Sequence, residues 1–159
     1  MDAVSSRART PFEDTSVPVE RSQSQIRKLL QEAGALSVGF ESTWGPDAPS
    51  CVVRFVWPLA SDRGRVEQAV RLDVTPLPPD QRYAEAQRER QAWRGLAHYL
   101  EGTIKAATFG LIRFEDVFLS FMEVDHGLTL GTLVKQQIDR DGRLSLTGGV
   151  LELEDGSTS

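Results

Sequence analysis

The apolar residues of this chain follow a helical spacing first and a strand spacing next. Between residues 19 and 34 they recur at intervals of three and four, which is the spacing of one helical face: Ile26, Leu29, Leu30 and Ala33. Ser22 stands three residues before Gln25, the spacing of a capping box, and Gly34 is placed to end the helix. The pattern therefore predicts an amphipathic helix at the start of the folded region.

Three later segments alternate inward and outward positions, as strands with one buried face do. The inward positions fall in three runs: Leu36, Val38 and Phe40; Cys51, Val53, Phe55 and Trp57; and Val66, Gln68, Val70, Leu72 and Val74. Residues 45–49 and 62–65 have the composition of a loop and a turn, and connections this short favour antiparallel pairing. We expect a three-stranded antiparallel meander, which the prolines of residues 75–79 bring to an end.

A long helix is predicted from Asp80 to about Gly110. One side of it carries apolar and small residues at intervals of three, four and seven: Ala86, Trp93, Ala97, Leu100, Ile104 and Ala107. This side is expected to lie across the inner face of the sheet. Gly102 lowers helix stability by roughly 1 kcal/mol relative to alanine, so we interpret it as a point of close packing against a strand.

Two shorter helices are predicted after the long one. The first carries Phe114, Val117, Phe118 and Phe121, and the second, capped by Thr129, carries Leu130, Leu133, Val134 and Ile138. The predicted class is therefore α+β: an N-terminal helix, a three-stranded antiparallel meander, a long helix packed across the sheet, and two short helices. Residues 1–18 are predicted as a flexible arm, 19–139 as one domain, and 140–159 as an acidic tail or a small hairpin.

Composition excludes several classes of protein. The chain has 159 residues and 40% hydrophobic content, which suits one globular domain. None of its apolar runs approaches the roughly 20 residues that a bilayer span needs. No apolar segment follows Arg7 and Arg9 as in a secretory signal, so we expect a cytoplasmic protein without membrane contact. Cys51 is the single cysteine, which excludes an internal disulfide and a thiolate-rich zinc site.

The residue pattern offers no catalytic constellation. His98 falls on the flank of the long helix, and His126 follows Asp125 in a predicted turn without further metal ligands. The adjacent carboxylates Glu115 and Asp116 lie at the start of a predicted helix, where the helix dipole is a sufficient reason for them. We therefore expect a non-enzymatic protein with no catalytic residue, no metal site and no cofactor.

The distribution of charge suggests a binding surface. Net charge is −5, yet residues 54–113 hold ten Lys and Arg against seven Asp and Glu. Four basic or titratable side chains project from one flank of the long helix, at Arg90, Arg94, His98 and Lys105. The predicted nucleic-acid-binding set joins three of them to two strand arginines and two aromatic residues for base stacking: Arg54, Arg71, Arg90, Arg94, Lys105, Trp44 and Tyr83. The alternative is that these cations solvate the helix or pair with Glu89 and Glu101.

Short motifs along the second half of the chain carry a family resemblance. They are Trp93-Arg94-Gly95-Leu96, Ile104-Lys105-Ala106, Gly110 and Phe114-Glu115-Asp116-Val117-Phe118-Leu119. Together they resemble a family of small conserved proteins encoded by bacteriophages and integrated mobile elements. The resemblance covers about residues 17–135 and departs from the family at Ala107 and Thr108. It implies a phage-related or mobile-element protein acting inside a bacterial cell, and it implies no particular activity.

Two hypotheses follow. A helix, three antiparallel strands and a long helix also occur in duplex RNA-binding modules and in the cores of single-strand annealing proteins, which is an analogy of fold alone. With the basic row, this favours binding or annealing of single-stranded DNA, with homo-oligomer formation left open. The alternative is a phage accessory protein that binds and inhibits or redirects a host protein, with Phe118, Phe121 and Met122 as the contact set.

Overall fold

The computed structural model describes residues 11–43, 50–74, 85–125 and 127–144. Its elements, in chain order, are α1 (Val19–Ala33), β1 (Ser37–Thr43), β2 (Ser50–Ser61), β3 (Gly64–Val74), α2 (Glu85–Thr108), α3 (Phe114–Phe118), a 3₁₀ turn (Leu119–Phe121), β4 (Glu123–Asp125), β5 (Leu128–Thr129) and α4 (Leu130–Asp141). This order confirms the predicted α+β class. None of the helices within the described ranges is long and apolar enough to cross a bilayer.

The first three strands form an antiparallel sheet in the order β1-β2-β3, as the alternating pattern predicted. Phe55 lies at the centre of the register, opposite Val38 on one side and Val70 on the other. Because successive side chains point to opposite faces, Val53, Phe55 and Trp57 share one face and Arg54 lies on the other. We call the face that carries Phe55 the inner face and the face that carries Arg54 the outer face.

The helices cover the inner face and close the core against it. The core contains Ile26 and Leu30 from α1, together with Trp93, Ala97 and Leu100 from α2, each fully buried. Removing one such aliphatic or aromatic side chain from water contributes roughly 1.5–3 kcal/mol. The spacing in the sequence therefore identified the packed side of both helices, although Ala86 at the start of α2 is exposed.

An aromatic cluster joins α3 to the strands. The rings of Trp57 and Phe114 stack with centroids 3.6 Å apart, while Phe55 and Phe118 meet edge to face at 5.4 Å. Aromatic pairs of this kind contribute about 0.5–1.5 kcal/mol beyond the area that they bury. The cluster fixes α3 against the inner face of the sheet.

The C-terminal unit, residues 119–144, extends this body. It consists of the 3₁₀ turn, the two-stranded β4–β5 sheet, which the sequence did not predict, and α4. As predicted, Thr129 is the N-cap of α4, and its side chain accepts a hydrogen bond from the Thr132 amide at 3.3 Å. An isolated antiparallel bridge between Met122 and Val70 joins the unit to β3. The side-chain amide of Gln68 also donates a hydrogen bond to the Glu123 carbonyl at 2.7 Å.

The segment before α1 is held against α2. The side-chain amide of Gln87 donates to the carbonyls of Glu13 and Thr15, at 3.0 and 2.9 Å. Phe12 stacks on the ring of His98 with centroids 4.7 Å apart and has a φ of 62°, which is rare for a bulky residue and costs about 1–3 kcal/mol. Residues 11–18, which belong to the predicted flexible arm, thus include several that contact α2, whereas residues 1–10 lie outside the described residues.

Two local predictions were wrong, and each has a physical reason. Ser22 does not cap α1, because the helix begins earlier, at Val19, with Pro18 as its N-cap, and Ser22 lies buried within it. Gly102 is exposed, and a Cβ placed there would meet no atom within 4 Å, so it makes no close contact with a strand. The predicted hairpin or tail falls largely on residues 145–159, which lie outside the described residues.

Candidate interaction surfaces

The two strand arginines of the predicted nucleic-acid site lie side by side on the outer face. Arg54 and Arg71 are directly opposite each other in the β2–β3 register, a position where like charges repel. Each has an acidic partner: Arg54 contacts Glu123 at 2.5 Å, and Arg71 contacts Asp73 at 3.2 Å. The Glu123 side chain is 8% exposed against 53% for Arg54, so the carboxylate lies under the arginine head.

The helix cations are on the other side of the sheet, along the flank of α2. Arg94 donates to the side-chain oxygen of Gln25 on α1 at 2.8 Å, and Arg90 donates to Gln87 at 2.6 and 3.0 Å. The Nζ atom of Lys105 lies 2.8 Å from a carboxylate oxygen of Glu101, which is one helical turn earlier in α2. The hydrogen bond and the charge of Lys105 lower the pKa of the Glu101 carboxyl. The flank therefore carries both positive and negative side chains, and the cations named here are hydrogen-bonded or ion-paired.

These positions do not make one cationic strip. The sheet separates Arg54 and Arg71 from Arg90, Arg94 and Lys105, since α2 packs on the inner face. All five cations have a hydrogen-bonding or ionic partner within the described residues. The two predicted stacking residues, Trp44 and Tyr83, lie outside the described residues.

The predicted protein-contact set is part of the hydrophobic core. Phe118 is 1% exposed and belongs to the aromatic cluster, so a partner has no access to it. Phe121 and Met122 are half-buried and pack against the same core. Their apolar character, which suggested a contact surface, is used by the fold itself.

A different apolar surface, absent from the predicted set, stands at the end of α2. We call it the apolar tip: Phe109, Leu111 and Ile112, which are 79%, 80% and 42% exposed. An open groove of about 550 Å³, lined by Ala107 and residues 110–116, lies beside it. Large apolar side chains are seldom this exposed side by side on a surface that has no partner.

Backbone hydrogen bonds hold the apolar tip in a defined turn. The Gly110 amide donates to the Ala107 carbonyl at 3.0 Å, and the Leu111 amide donates to the Ala106 carbonyl at 3.1 Å. These two bonds, with a φ of 73° at Gly110, are those of a Schellman motif. In that motif the residue after the glycine often packs back onto the helix, but Leu111 remains 80% exposed. The turn therefore presents an ordered apolar side chain to solvent.

Two ion pairs lie close to the apolar tip. Arg113 makes two hydrogen bonds to Asp116, both at 2.8 Å. The hydrogen bond and charge of Arg113 lower the pKa of the Asp116 carboxyl, and the same contact raises the pKa of the guanidinium. With the Lys105–Glu101 pair and with Glu115, which also lines the groove, the rim carries both signs of charge. Such a rim has no strong preference for an anionic or a cationic surface.

The sequence contained a signal for the apolar tip. Leu111 and Ile112 follow Gly110, the residue predicted to end the long helix, so they fall outside its apolar stripe. Apolar residues that immediately follow a helix end and belong to no periodic face have no predicted core to join. The position of Leu111 and Ile112 directly after the helix end was therefore a better indicator of an exposed apolar surface than the apolar face of the next predicted helix.

The chemistry of the remaining titratable groups is limited. Within the described ranges, no group of three or more His, Cys, Asp or Glu side chains is arranged to hold a metal ion. Cys51 is buried in the core, and its burial raises the pKa of the thiol, which disfavours the reactive thiolate.

Comparison with known proteins yields no relative. No protein-family model, no curated protein and no solved structure matches this chain. The resemblance to phage and mobile-element proteins stays a prediction from the sequence. Interpretation of function therefore depends on the geometry and charge of the described residues.

Proposed function

We propose that this protein is a non-enzymatic binding module that docks a partner protein through the apolar tip. The observation that carries the proposal is the exposure of Phe109 and Leu111, 79% and 80%, on a turn fixed by backbone hydrogen bonds. Burial of apolar surface is favourable by roughly 25 cal/mol per Å², so covering these two side chains supplies binding energy. Because the turn is ordered before binding, little conformational entropy is lost on docking.

The surroundings of the apolar tip favour one kind of partner. The matching surface on the partner is an apolar pocket that takes Phe109 and Leu111. Its rim carries both signs of charge, because it faces the Arg113–Asp116 pair. A nucleic acid or an anionic lipid surface is a poorer match, since the rim cations are paired and the whole chain has a net charge of −5. The partner class is therefore a protein.

The biological setting follows the family resemblance. For a protein of phage or mobile-element origin in the bacterial cytoplasm, the partner is a host protein that the module inhibits or redirects. Such a role requires an interaction surface, which the apolar tip supplies.

The test compares a double variant in the apolar tip with a single variant elsewhere on the surface, both of which replace exposed apolar residues by serine. The double variant Phe109→Ser, Leu111→Ser removes the apolar tip, and Val66→Ser removes an apolar side chain, 47% exposed, from the β2–β3 hairpin. Tagged proteins are incubated with nuclease-treated host extract, and the mass of the eluted complex is measured by light scattering. We expect a stoichiometric complex with the parent and with Val66→Ser, and at least a tenfold loss with the double variant. Equal recovery with all three proteins contradicts the proposal.

A second candidate function uses the outer face. We propose, as the competing role, single-stranded DNA binding or annealing by Arg54 and Arg71, which occupy opposite positions of β2 and β3 on the outer face and could both contact the phosphate backbone. Their ion pairs with Glu123 and Asp73 oppose it, because a phosphate has to compete with those carboxylates. Retention of a labelled oligonucleotide at low and moderate salt, with Arg54→Gln and Arg71→Gln, tests this role. Salt-sensitive binding lost in both variants supports it, and no retention at low salt excludes it; light scattering with the oligonucleotide reports any oligomer.

A further inference from the structure

The chain that precedes α1 lies on α2 as a strap. We call residues 11–15 the N-terminal strap, and the four α2 residues beneath it the strap site: Gln87, Gln91, Gly95 and His98. Their spacing of four, four and three places them on one side of the helix. One helical face thus contacts a single short segment of chain.

Two glutamines of the strap site hold the backbone of the strap. The side-chain amide of Gln91 donates to the Pro11 carbonyl at 2.8 Å, and that of Gln87 donates to the carbonyls of Glu13 and Thr15 at 3.0 and 2.9 Å. Every residue type offers a backbone carbonyl, so these three hydrogen bonds suit a segment of other sequence as well as residues 11–15. The two amides therefore form a surface that binds peptide backbone.

An aromatic ring supplies the side-chain part of the contact. Phe12 stacks on His98 with ring centroids 4.7 Å apart, and a Cβ at Gly95 would lie 3.9 Å from the Phe12 ring. Beside this ring a groove of about 370 Å³, lined in part by Leu96 and Tyr99, stays open, and Tyr99 is 48% exposed. A segment with an aromatic residue and a neighbouring apolar residue therefore fills this surface more completely than the strap does.

The strap is held weakly. None of residues 11–15 is buried, whereas Gln91 beneath them is only 9% exposed. Segments with few buried contacts open locally at low cost. Phe12 also has a φ of 62°, a strained conformation for a bulky residue, and strain of this kind is concentrated at ligand clamps and switch regions. A segment that presents its ring with a negative φ makes the same contacts without that strain.

We propose that the strap site docks a peptide segment of a partner protein, which carries an aromatic residue beside an apolar one, and that the N-terminal strap is its intramolecular competitor. The strap closes the site in the free protein, and the partner's segment displaces it. A second copy of this chain is a poorer occupant, because its strap brings the same strained Phe12. The strap site shares no residue with the apolar tip, so it is a binding surface additional to the proposed function.

The first experiment titrates a synthetic peptide of residues 11–18 into the full chain and into its Phe12→Ala variant, both labelled with ¹⁵N. Phe12→Ala removes the ring that holds the strap, so the variant should bind the peptide at least about tenfold more tightly than the parent. The amides of residues 87–99 should shift in a saturable way. A peptide that itself carries Phe12→Ala should bind the variant at least about tenfold more weakly.

Two further variants separate docking from a change in fold. Val66→Ala, which trims an exposed apolar side chain on β3, should leave peptide affinity at the parent's value. Adding Gln91→Leu to Phe12→Ala should lower peptide affinity about threefold to tenfold, because one carbonyl loses its donor. Thermal unfolding checks that each variant is folded. A general loss of stability does not raise peptide affinity at Phe12 and lower it at Gln91.

The parent protein provides a test that needs no variant. At about millimolar concentration, unlabelled peptide should displace the strap of ¹³C-labelled protein, which is seen as loss of the NOE between the Phe12 and His98 rings. Persistence of that NOE overturns the proposal. No saturable shift in Phe12→Ala, equal affinity of the parent and Phe12→Ala, or shifts confined to residues 109–112 also overturns it. A parent dimer in light scattering that Phe12→Ala abolishes has the same consequence, because the occupant is then a second copy.

Discussion

The inner face of the sheet and the C-terminal unit differ sharply in how they bury apolar residues. Trp93, Leu100 and Ile26 are fully buried between the sheet and the helices. In α4, by contrast, none of the twelve residues is buried, and Leu133 and Ile138 are 38% and 42% exposed. The first region is stabilised by packing, whereas α4 depends more on its cap and on contacts with the 3₁₀ turn and β5. Amphipathic spacing therefore indicates which face of a helix is apolar, and it does not indicate how well that face is covered.

The largest expected effect comes from the aromatic cluster. Phe118→Ala should lower the free energy of unfolding by about 3–5 kcal/mol, because the cavity it leaves lies against Phe55 and Phe114. The matched change Leu133→Ala in α4 should cost less than about 1 kcal/mol, since that side chain is already 38% exposed. Urea unfolding of both variants measures the difference. Similar losses in the two proteins would break the contrast between the regions.

Alanine substitutions at Gly131 in α4 and Gly102 in α2 should differ in their effect on stability, by less than the Phe118 and Leu133 variants do. A Cβ at Gly131 would lie 2.9 Å from the backbone oxygen of Ser120, so Gly131→Ala should destabilise the C-terminal unit by about 1–3 kcal/mol. Gly102→Ala meets no such contact in α2 and should stabilise the protein by about 0.5–1 kcal/mol. Amide hydrogen exchange separates the two effects. Faster exchange is expected in α4 alone for Gly131→Ala, and faster exchange throughout the core would argue against a separately stabilised unit.

The smallest expected effect is a pH dependence at Arg113 and Asp116. The pKa of Asp116 is lowered by Arg113 in the folded protein, so this contact stabilises the fold above the ordinary aspartate pKa. The stabilisation is lost as the pH falls through the lowered value. Arg113→Gln should return the pKa of Asp116 toward its ordinary range, as measured by the pH dependence of its carboxyl ¹³C shift. An unchanged titration in Arg113→Gln would mean that the pair is not formed in solution.

Much of the fold was predictable because it depends on local patterns. The alternation through Phe55 and Trp57 placed the strands, and the position of Thr129 placed the start of α4. The candidate site was less predictable because it depends on contacts between distant residues. Glu123, the partner of Arg54, lies 69 positions further along the chain, and no local pattern links them. Phe118 was predicted as a partner contact, but in the structure it packs edge to face against Phe55, a residue 63 positions earlier that no local pattern links to it.

The bridge between Met122 and Val70 has a further consequence, for self-association. A strand at the margin of a sheet exposes unpaired amide and carbonyl groups, which recruit strands from other molecules and start aggregates. Met122, with the Gln68 bond to the Glu123 carbonyl, occupies part of that margin along β3. The C-terminal unit thereby covers part of the edge at which β3 would otherwise be open to a strand of another molecule.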